Sequence, residues 1–334
     1  MTNFYKLMFY CTLMLGTLIA VSSYSWLSMW MGLEINLLSI IPLLSDSKNL
    51  YPSESALKYF ITQALASVIL LFSIISMLNL NNFNVWDQNY LFMITLNSAL
   101  LTKMGAAPFH AWFPEVMEGM SWMNCLIMLT WQKLAPMAIL MYTVKMTVFM
   151  SGIALFSSIM GSLMGLNQVS LRKIMAYSSI NHIGWMISSM FNSQSIWLLY
   201  FSVYSIISIN IVVVFFYMNI FYLNQLNSIL NQNKLIKFFF AMNFFSLGGL
   251  PPFLGFFPKW LTINGLVQNN FFLLSLILIL STLITLFFYL RITFSSMVIN
   301  TKESMITLSI TNKFIIVSIN FLALVGLITC TLIF

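Results

Sequence analysis

Charge is what this chain lacks. Of its 334 residues only 6% are Asp, Glu, Lys or Arg, against about 25% in soluble domains. No water-facing surface can be assembled from that supply. Disorder is excluded as well, because it needs high charge and low hydrophobicity. Cysteine is nearly as scarce. Cys11, Cys125 and Cys330 are odd in number and far apart, which leaves no disulfide framework, CxxC or iron–sulfur spacing. With only His110 and His182, a zinc site built from His and Cys finds no ligand set, and no GxGxxG nucleotide fingerprint occurs. The net charge of +7 comes from cations scattered singly, with Arg172-Lys173 the one adjacent pair. A nucleic-acid footprint needs a clustered basic face, so that partner is excluded.

What the chain has is grease: 60% hydrophobic residues, with 31 Phe and 25 Met. Lipid is the remaining solvent. A spanning helix takes about 20 mostly apolar residues. Such runs lie near 4–23, 26–44, 57–80, 90–117, 121–143, 147–166, 172–191, 195–222, 236–257, 259–294 and 314–334. The expectation is an all-α polytopic membrane protein with about eleven transmembrane helices. The first run meets Tyr24 and Trp26 rather than a small-x-small cleavage site, so it reads as a retained helix and not a signal peptide. A barrel is excluded because period-two alternation is absent. Cations near the predicted ends do not alternate from loop to loop, so the charge pattern assigns no orientation.

Two segments repeat. From Gly105 the chain reads GAAPFHAWFPEV, and from Gly249 it reads GLPPFLGFFPKW. Aligned without gaps, Gly105, Pro108, Phe109, Phe113 and Pro114 match Gly249, Pro252, Phe253, Phe257 and Pro258. Gly and Pro interrupting corresponding apolar segments of two halves point to a transport site. Proline cannot bond the carbonyl four residues back. Pro108 would therefore free the carbonyl of Met104, Pro136 that of Gln132, and Pro251 and Pro252 those of Leu247 and Gly248. Such groups are tolerated at membrane depth only inside protein or beside water. The expected helix breaks are Pro108, Pro136, Gly248, Gly249, Pro251 and Pro252.

The ionisable residues that cannot easily reach an interface fall in the same places. Glu34 is mid-run, Lys103 adjoins the first break, Lys133 lies inside 121–143, His182 inside 172–191, and Lys259 follows the second break. One such charge at a bilayer centre costs about 2.5–3.5 kcal/mol. Four unpaired ones would cost on the order of 10 kcal/mol, comparable to a domain's whole stability. They must face the bundle interior, where proton or cation movement is the default role. The plain alternatives are a cap for Glu34, a neutralising role for Lys103, a structural one for Lys133, snorkelling for Lys259 and a hydrogen-bonded core position for His182. Glu115 and Glu118 are expected at a solvated helix end, and Arg291 is expected to snorkel.

Six segments carry a resemblance: GLEINLLSIIPLL from Gly32, KYFITQALAS from Lys58, KMGAAPFHAWFPEV from Lys103, LTWQKLAPM from Leu129, LNQVSLRKIMAYSSINHIGW from Leu166 and SLGGLPPFLGFFPKW from Ser246. Together, and in order, they resemble the antiporter-like membrane-subunit family of mitochondrial respiratory complex I (NADH dehydrogenase), in the shortened animal form that lacks three N-terminal helices of bacterial relatives. The resemblance covers residues 26 to 295. It implies two inverted five-helix repeats with broken helices, divided as 1–145 and 146–295, with a loop and final helix in 296–334. It implies proton transfer by Glu34, Lys103, Lys133, His182 and Lys259 in the inner mitochondrial membrane. It implies partners such as NADH dehydrogenase subunits 4 and 4L, accessory subunits and membrane lipids. Flavin, iron–sulfur clusters, NADH and ubiquinone would bind other subunits, with no cofactor or metal in this chain. The alternatives are a subunit of a cation/proton antiporter and a non-pumping structural subunit.

Overall fold

The structure, a computed structural model, describes residues 4–45, 49–80, 86–144, 146–230, 234–251 and 253–298. Pro252 and the expected final helix at 314–334 lie outside the described residues. Every regular element described is a helix, with one isolated bridge between Ser170 and Tyr222. Among the described residues, seven helices are long and apolar enough to cross a membrane. The protein is a multi-pass α-helical membrane protein. The chain divides into two compact units, Met1–Met150 and Ser151–Phe334.

In the first unit, α1 (Phe4–Ser22) and α2 (Trp26–Leu44) form a hairpin. Ser25 caps α2, its hydroxyl accepting from the Ser28 N–H, the usual service of an N-cap serine. The two helices touch backbone to backbone: a Cβ added at Gly32 would lie 2.6 Å from the Ala20 nitrogen. Close approach of this kind is what small residues supply when lipid gives no hydrophobic drive for association. Gly32→Ala should therefore prise α1 from α2 and cost about 1–3 kcal/mol, the usual range for overpacking. A lower unfolding temperature of the detergent-solubilised complex would show it, and an unchanged one would refute the close approach.

Helix α3 (Leu50–Leu80) begins seven residues before the apolar run at 57–80; its polar first turns extend past the greasy stretch. The run at 90–117 is two helices, α4 (Trp86–Met104) and α5 (Trp112–Gly119), and Pro108 lies in the connection between them. The run at 121–143 is also divided, into α6 (Trp122–Leu129), α7 (Trp131–Leu140) and a 3-10 turn at Met141–Thr143. Here the expectation needs correction, because Pro136 lies inside α7 and the interruption falls at Thr130 (φ −114°, ψ −72°). The proline ring crowds the Gln132 carbonyl, and the chain yields upstream. There the Thr130 hydroxyl bonds back to the Leu126 carbonyl at 2.8 Å, a contact that bends helices.

The second unit is carried by α8 (Thr147–Gly165), α9 (Leu171–Met190), α10 (Gln194–Met218), α11 (Leu223–Leu230), α12 (Lys234–Gly248), α13 (Phe256–Gln268) and α14 (Phe272–Val298). Helix α11 occupies part of the stretch expected to be loop, Asn224 to Lys234. The run at 259–294 is divided between α13 and α14 at Asn269–Phe271, where Asn270 takes φ +65°, a conformation asparagine enters more readily than other side-chain-bearing residues. Helix α9 is buried without interruption from Ser178 to Met190. It is too polar to count among the seven spans, yet its serines need no outside partner. Ser178, Ser179, Ser188 and Ser189 each donate to the carbonyl three residues back, at 2.7–2.8 Å.

Candidate functional site: two broken helices and the charges beside them

Both breaks are built alike. Gly105 and Gly249 adopt φ +75° and +78°, the left-handed conformation that closes helices and that glycine enters without penalty. In the first unit Ala106 N–H donates to Leu101 O at 3.1 Å and Gly105 N–H to Thr102 O at 3.2 Å. In the second, Leu250 N–H donates to Phe245 O at 3.2 Å and Gly249 N–H to Ser246 O at 3.0 Å. The bonds correspond pair for pair, so the aligned sequence segments are also aligned local structures.

The remaining carbonyls at each helix end are met differently. At the end of α4, Trp112 Nε1 donates to Thr102 O at 3.1 Å and Gln63 Nε2 to Lys103 O at 3.3 Å. Both donors are neutral. At the end of α12, the Lys259 ammonium donates to Gly248 O at 2.8 Å and Leu247 O at 3.3 Å. A cation there faces the negative end of the helix dipole. The two carbonyls are those expected from the sequence to be freed by Pro251 and Pro252.

In the first unit the structure brings Glu34, Lys103 and Lys133 to the break. The Lys103 side chain is 4% exposed, and its ammonium lies 4.0 Å from Glu34 Oε1, beyond direct hydrogen-bond reach. Buried Glu34 Oε1 has no hydrogen-bond partner among the described residues. Lys133 is fully buried, its ammonium 5.5 Å from the centre of the Phe113 ring, and the Phe113 side chain packs on Gly105. In the second unit it brings together His182 and Lys259. His182 Nδ1 is 2.9 Å from the Tyr200 hydroxyl, and its ring packs on Tyr204. These three residues line a cavity of about 10 Å³ with Ser246, Leu247 and Pro258. Leu247, on that wall, is one of the two residues whose carbonyls hold Lys259. Gly248 ends α12 and Pro251 follows in the connection.

Sequence reading missed the neutral polar residues around these charges: Asn36, Tyr59, Gln63 and Gln132 in the first unit, Tyr200 and Tyr204 in the second. The signal was available in part, since Asn36 follows Glu34 by two positions and Gln132 adjoins Lys133. Glu115 is exposed as expected and pairs with Lys58 at 3.1 Å, as Glu54 does at 3.2 Å; exposed pairs of this kind contribute about 0–1 kcal/mol each. Arg291 is exposed, and its guanidinium donates to Leu166 O at 2.7 Å and Gln168 O at 3.3 Å, in the turn that follows α8.

Paired breaks with lysines set into the carbonyl ends of interrupted helices define an antiporter-like membrane subunit. The profile of the family described as NADH:quinone oxidoreductase/Mrp antiporter, TM, matches residues 23–285. The fold is also that of a chain in the structure titled "Respiratory complex I from Thermus thermophilus with bound Aureothin": TM-score 0.89 at 22% identity, over 99% of this chain and 79% of that one. NADH-ubiquinone oxidoreductase chain 2 of Anopheles gambiae is 49% identical over 98% of this chain and 97% of its own. Its counterpart in Aedes aegypti is 50% identical over the same shares. The chain belongs to the NADH-ubiquinone oxidoreductase chain 2 family.

Proposed function

We propose that this chain is a proton-translocating membrane-arm subunit of NADH:ubiquinone oxidoreductase, working in the inner mitochondrial membrane. The observation that carries the reading is the placement of buried lysines at the two broken helices. Lys103 stands one residue before the first left-handed glycine's helix end, and Lys259 is docked on the carbonyls of the second. Buried ionisable groups at such interruptions are what a proton path through lipid requires.

In this reading the chain crosses the membrane about eleven times. Residues 1–145 and 146–295 are two inverted five-helix repeats, and 296–334 supplies a loop and the final helix. Glu34 modulates Lys103, Lys133 passes the proton onward, His182 assists, and Lys259 exchanges it with the second half-channel. Electron transfer from NADH through flavin and iron–sulfur clusters to ubiquinone takes place in other subunits and drives the path from outside. The chain packs against neighbours such as NADH dehydrogenase subunits 4 and 4L, accessory subunits and lipid.

The family description also includes Mrp antiporters, so a cation/proton antiporter subunit is the second reading. Affinity purification of the tagged chain from native membranes separates the two. NADH-driven ubiquinone reduction should co-purify with it. A chain that isolates without that activity, from membranes that exchange sodium for protons only when it is present, would overturn the first reading.

A further inference from the structure

The second unit is short of anions. Between Glu118 and Glu303 the sequence holds no Asp or Glu, while the unit carries Arg172, Lys173, Lys234, Lys237, Lys259 and Arg291. Glu303 itself lies outside the described residues. Lys259 is met by the carbonyls at the end of α12. Arg291 is met only in part. Its guanidinium has five N–H donors and uses one on Leu166 O and one on Gln168 O. These carbonyls brace the charge without neutralising it, and among the described residues no carboxylate pairs with it.

The brace fixes where the charge sits. Gly165, the last residue of α8, packs so closely on α14 that an added Cβ would lie 2.9 Å from the Phe288 ring. Arg291 therefore stands at the seam of α8 and α14, at the end of the unit where α9 begins. The same connection leads on to more positive charge. Leu171 N–H donates to Phe221 O at 2.9 Å, and Leu223 N–H to Val169 O at 3.3 Å. This tie brings Phe221 under the Arg172 guanidinium, with its ring centre 4.7 Å away, and Lys173 follows.

Below Arg291 the surface is apolar. Leu280, Leu283 and Phe287 are 53–62% exposed. They recur with Arg291 at intervals of three and four residues, so all four share one face of α14. From Leu280 to Arg291 is about 16 Å at the helical rise, close to half of a hydrocarbon core about 30 Å thick. Leu163 and Met164 are exposed in the last turn of α8. An arginine heading an apolar stripe one leaflet long fits a molecule with a phosphate at one end and an acyl chain behind it. A carboxylate on a partner protein would answer the charge but not the stripe.

We propose that Arg291 binds the phosphodiester of an anionic phospholipid whose acyl chain lies along Leu280, Leu283 and Phe287. The guanidinium fork matches phosphate oxygens, and basic positions between membrane helices are where anionic headgroups dock. Arg172 and Lys173 add positive field at the same membrane surface. The site rests on the membrane-spanning fold and not on the proton path.

The test uses the assembled complex in phosphatidylcholine vesicles that hold a trace of one of two probes. These are phosphatidylglycerol and phosphatidylcholine, each with a diazirine on its acyl chain. After irradiation, mass spectrometry measures label on the peptide spanning 280–287, read as the ratio of the glycerol to the choline probe. The parent should show a ratio of about five or more, the preference one basic residue confers at an anionic surface. Arg291→Gln should bring it close to one, while Arg291→Lys, which keeps the charge, should retain most of it. If Arg291→Gln fails to assemble, salt carries the test. Between about 0.1 and 1 M the screening length falls from about 10 to 3 Å, and the parental ratio should fall with it. A parental ratio near one overturns the site, as does a ratio unchanged by Arg291→Gln or, without that variant, by salt. Loss of the preference in both variants overturns the charge reading in favour of a disturbed seam. Absence of label from either probe shows that a partner protein covers the stripe and overturns the lipid. Competition by inorganic phosphate at constant ionic strength shows a free-anion site and overturns it as well.

Discussion

Replacing Lys103 with alanine will give a complex that assembles and oxidises NADH but moves fewer protons for each electron pair. Assembly should survive because the change removes a buried charge rather than creating one, and Glu34 is not sealed in. Truncating one member of a buried pair is destructive when the other stays charged; a carboxylate 23% exposed on its side chain has an escape that a sealed one lacks. Translocation should suffer because a positioned proton donor or acceptor contributes roughly 10²–10⁴-fold to the transfer it serves, and among the described residues Lys103 is the one lysine or carboxylate lining the small cavity beside α4. Glu34→Gln should act more mildly in the same direction. At 4.0 Å the pair attracts by about 4 kcal/mol in an effective dielectric near 20, and the amide removes that attraction without removing the carrier. The proton-to-electron ratio in sealed vesicles decides the matter. A normal ratio in both variants would show that neither residue carries the proton.

Composition made the class legible. A chain with so little charge and so many apolar runs has no home but a bilayer, and the helix ends of α1, α2 and α8 fall within a residue or two of the apolar boundaries. The repeat was legible because glycine in a left-handed conformation and proline without an N–H are local requirements, written at the residue that bears them. What stayed hidden were consequences of packing. A greasy run near 130 does not reveal that Pro136 keeps its helical place while Thr130 bends; that depends on which turn yields to the crowded carbonyl. The single run at 259–294 conceals an asparagine break because Asn269 and Asn270 are only two polar residues among many apolar ones. Lys259 was visible as a misplaced charge, but its docking on Leu247 and Gly248 needed the return of α13 toward α12. The amides around Lys103 were the least legible of all. Asn36, Gln63 and Gln132 come from three different helices, and no spacing within one helix announces that they meet.

Gly255→Ala should disable the second break more thoroughly than any change on its surface. The reason is steric and lies in the backbone. A Cβ built on Gly255 would fall on the carbonyl oxygen of Ser246, in the last turn of α12. That oxygen already accepts the Gly249 N–H at 3.0 Å, so it cannot swing aside without opening the helix end. The start of α13 must move instead. Lys259 sits one turn further along α13, and its bonds to Gly248 O and Leu247 O, at 2.8 and 3.3 Å, have no slack to follow. Overpacking of a side chain costs about 1–3 kcal/mol; a clash with backbone should lie at or above the top of that range. Gly152→Ala supplies the contrast, since a Cβ there meets nothing within 4 Å and alanine favours a helix by roughly 0.5–1 kcal/mol over glycine. In assembled complex, Gly255→Ala should lower both the yield and the protons moved per electron pair, while Gly152→Ala should match or exceed the parent in yield and pump normally. If Gly255→Ala pumps at the parental ratio, the close approach of α13 to α12 is not what holds Lys259 at the helix end.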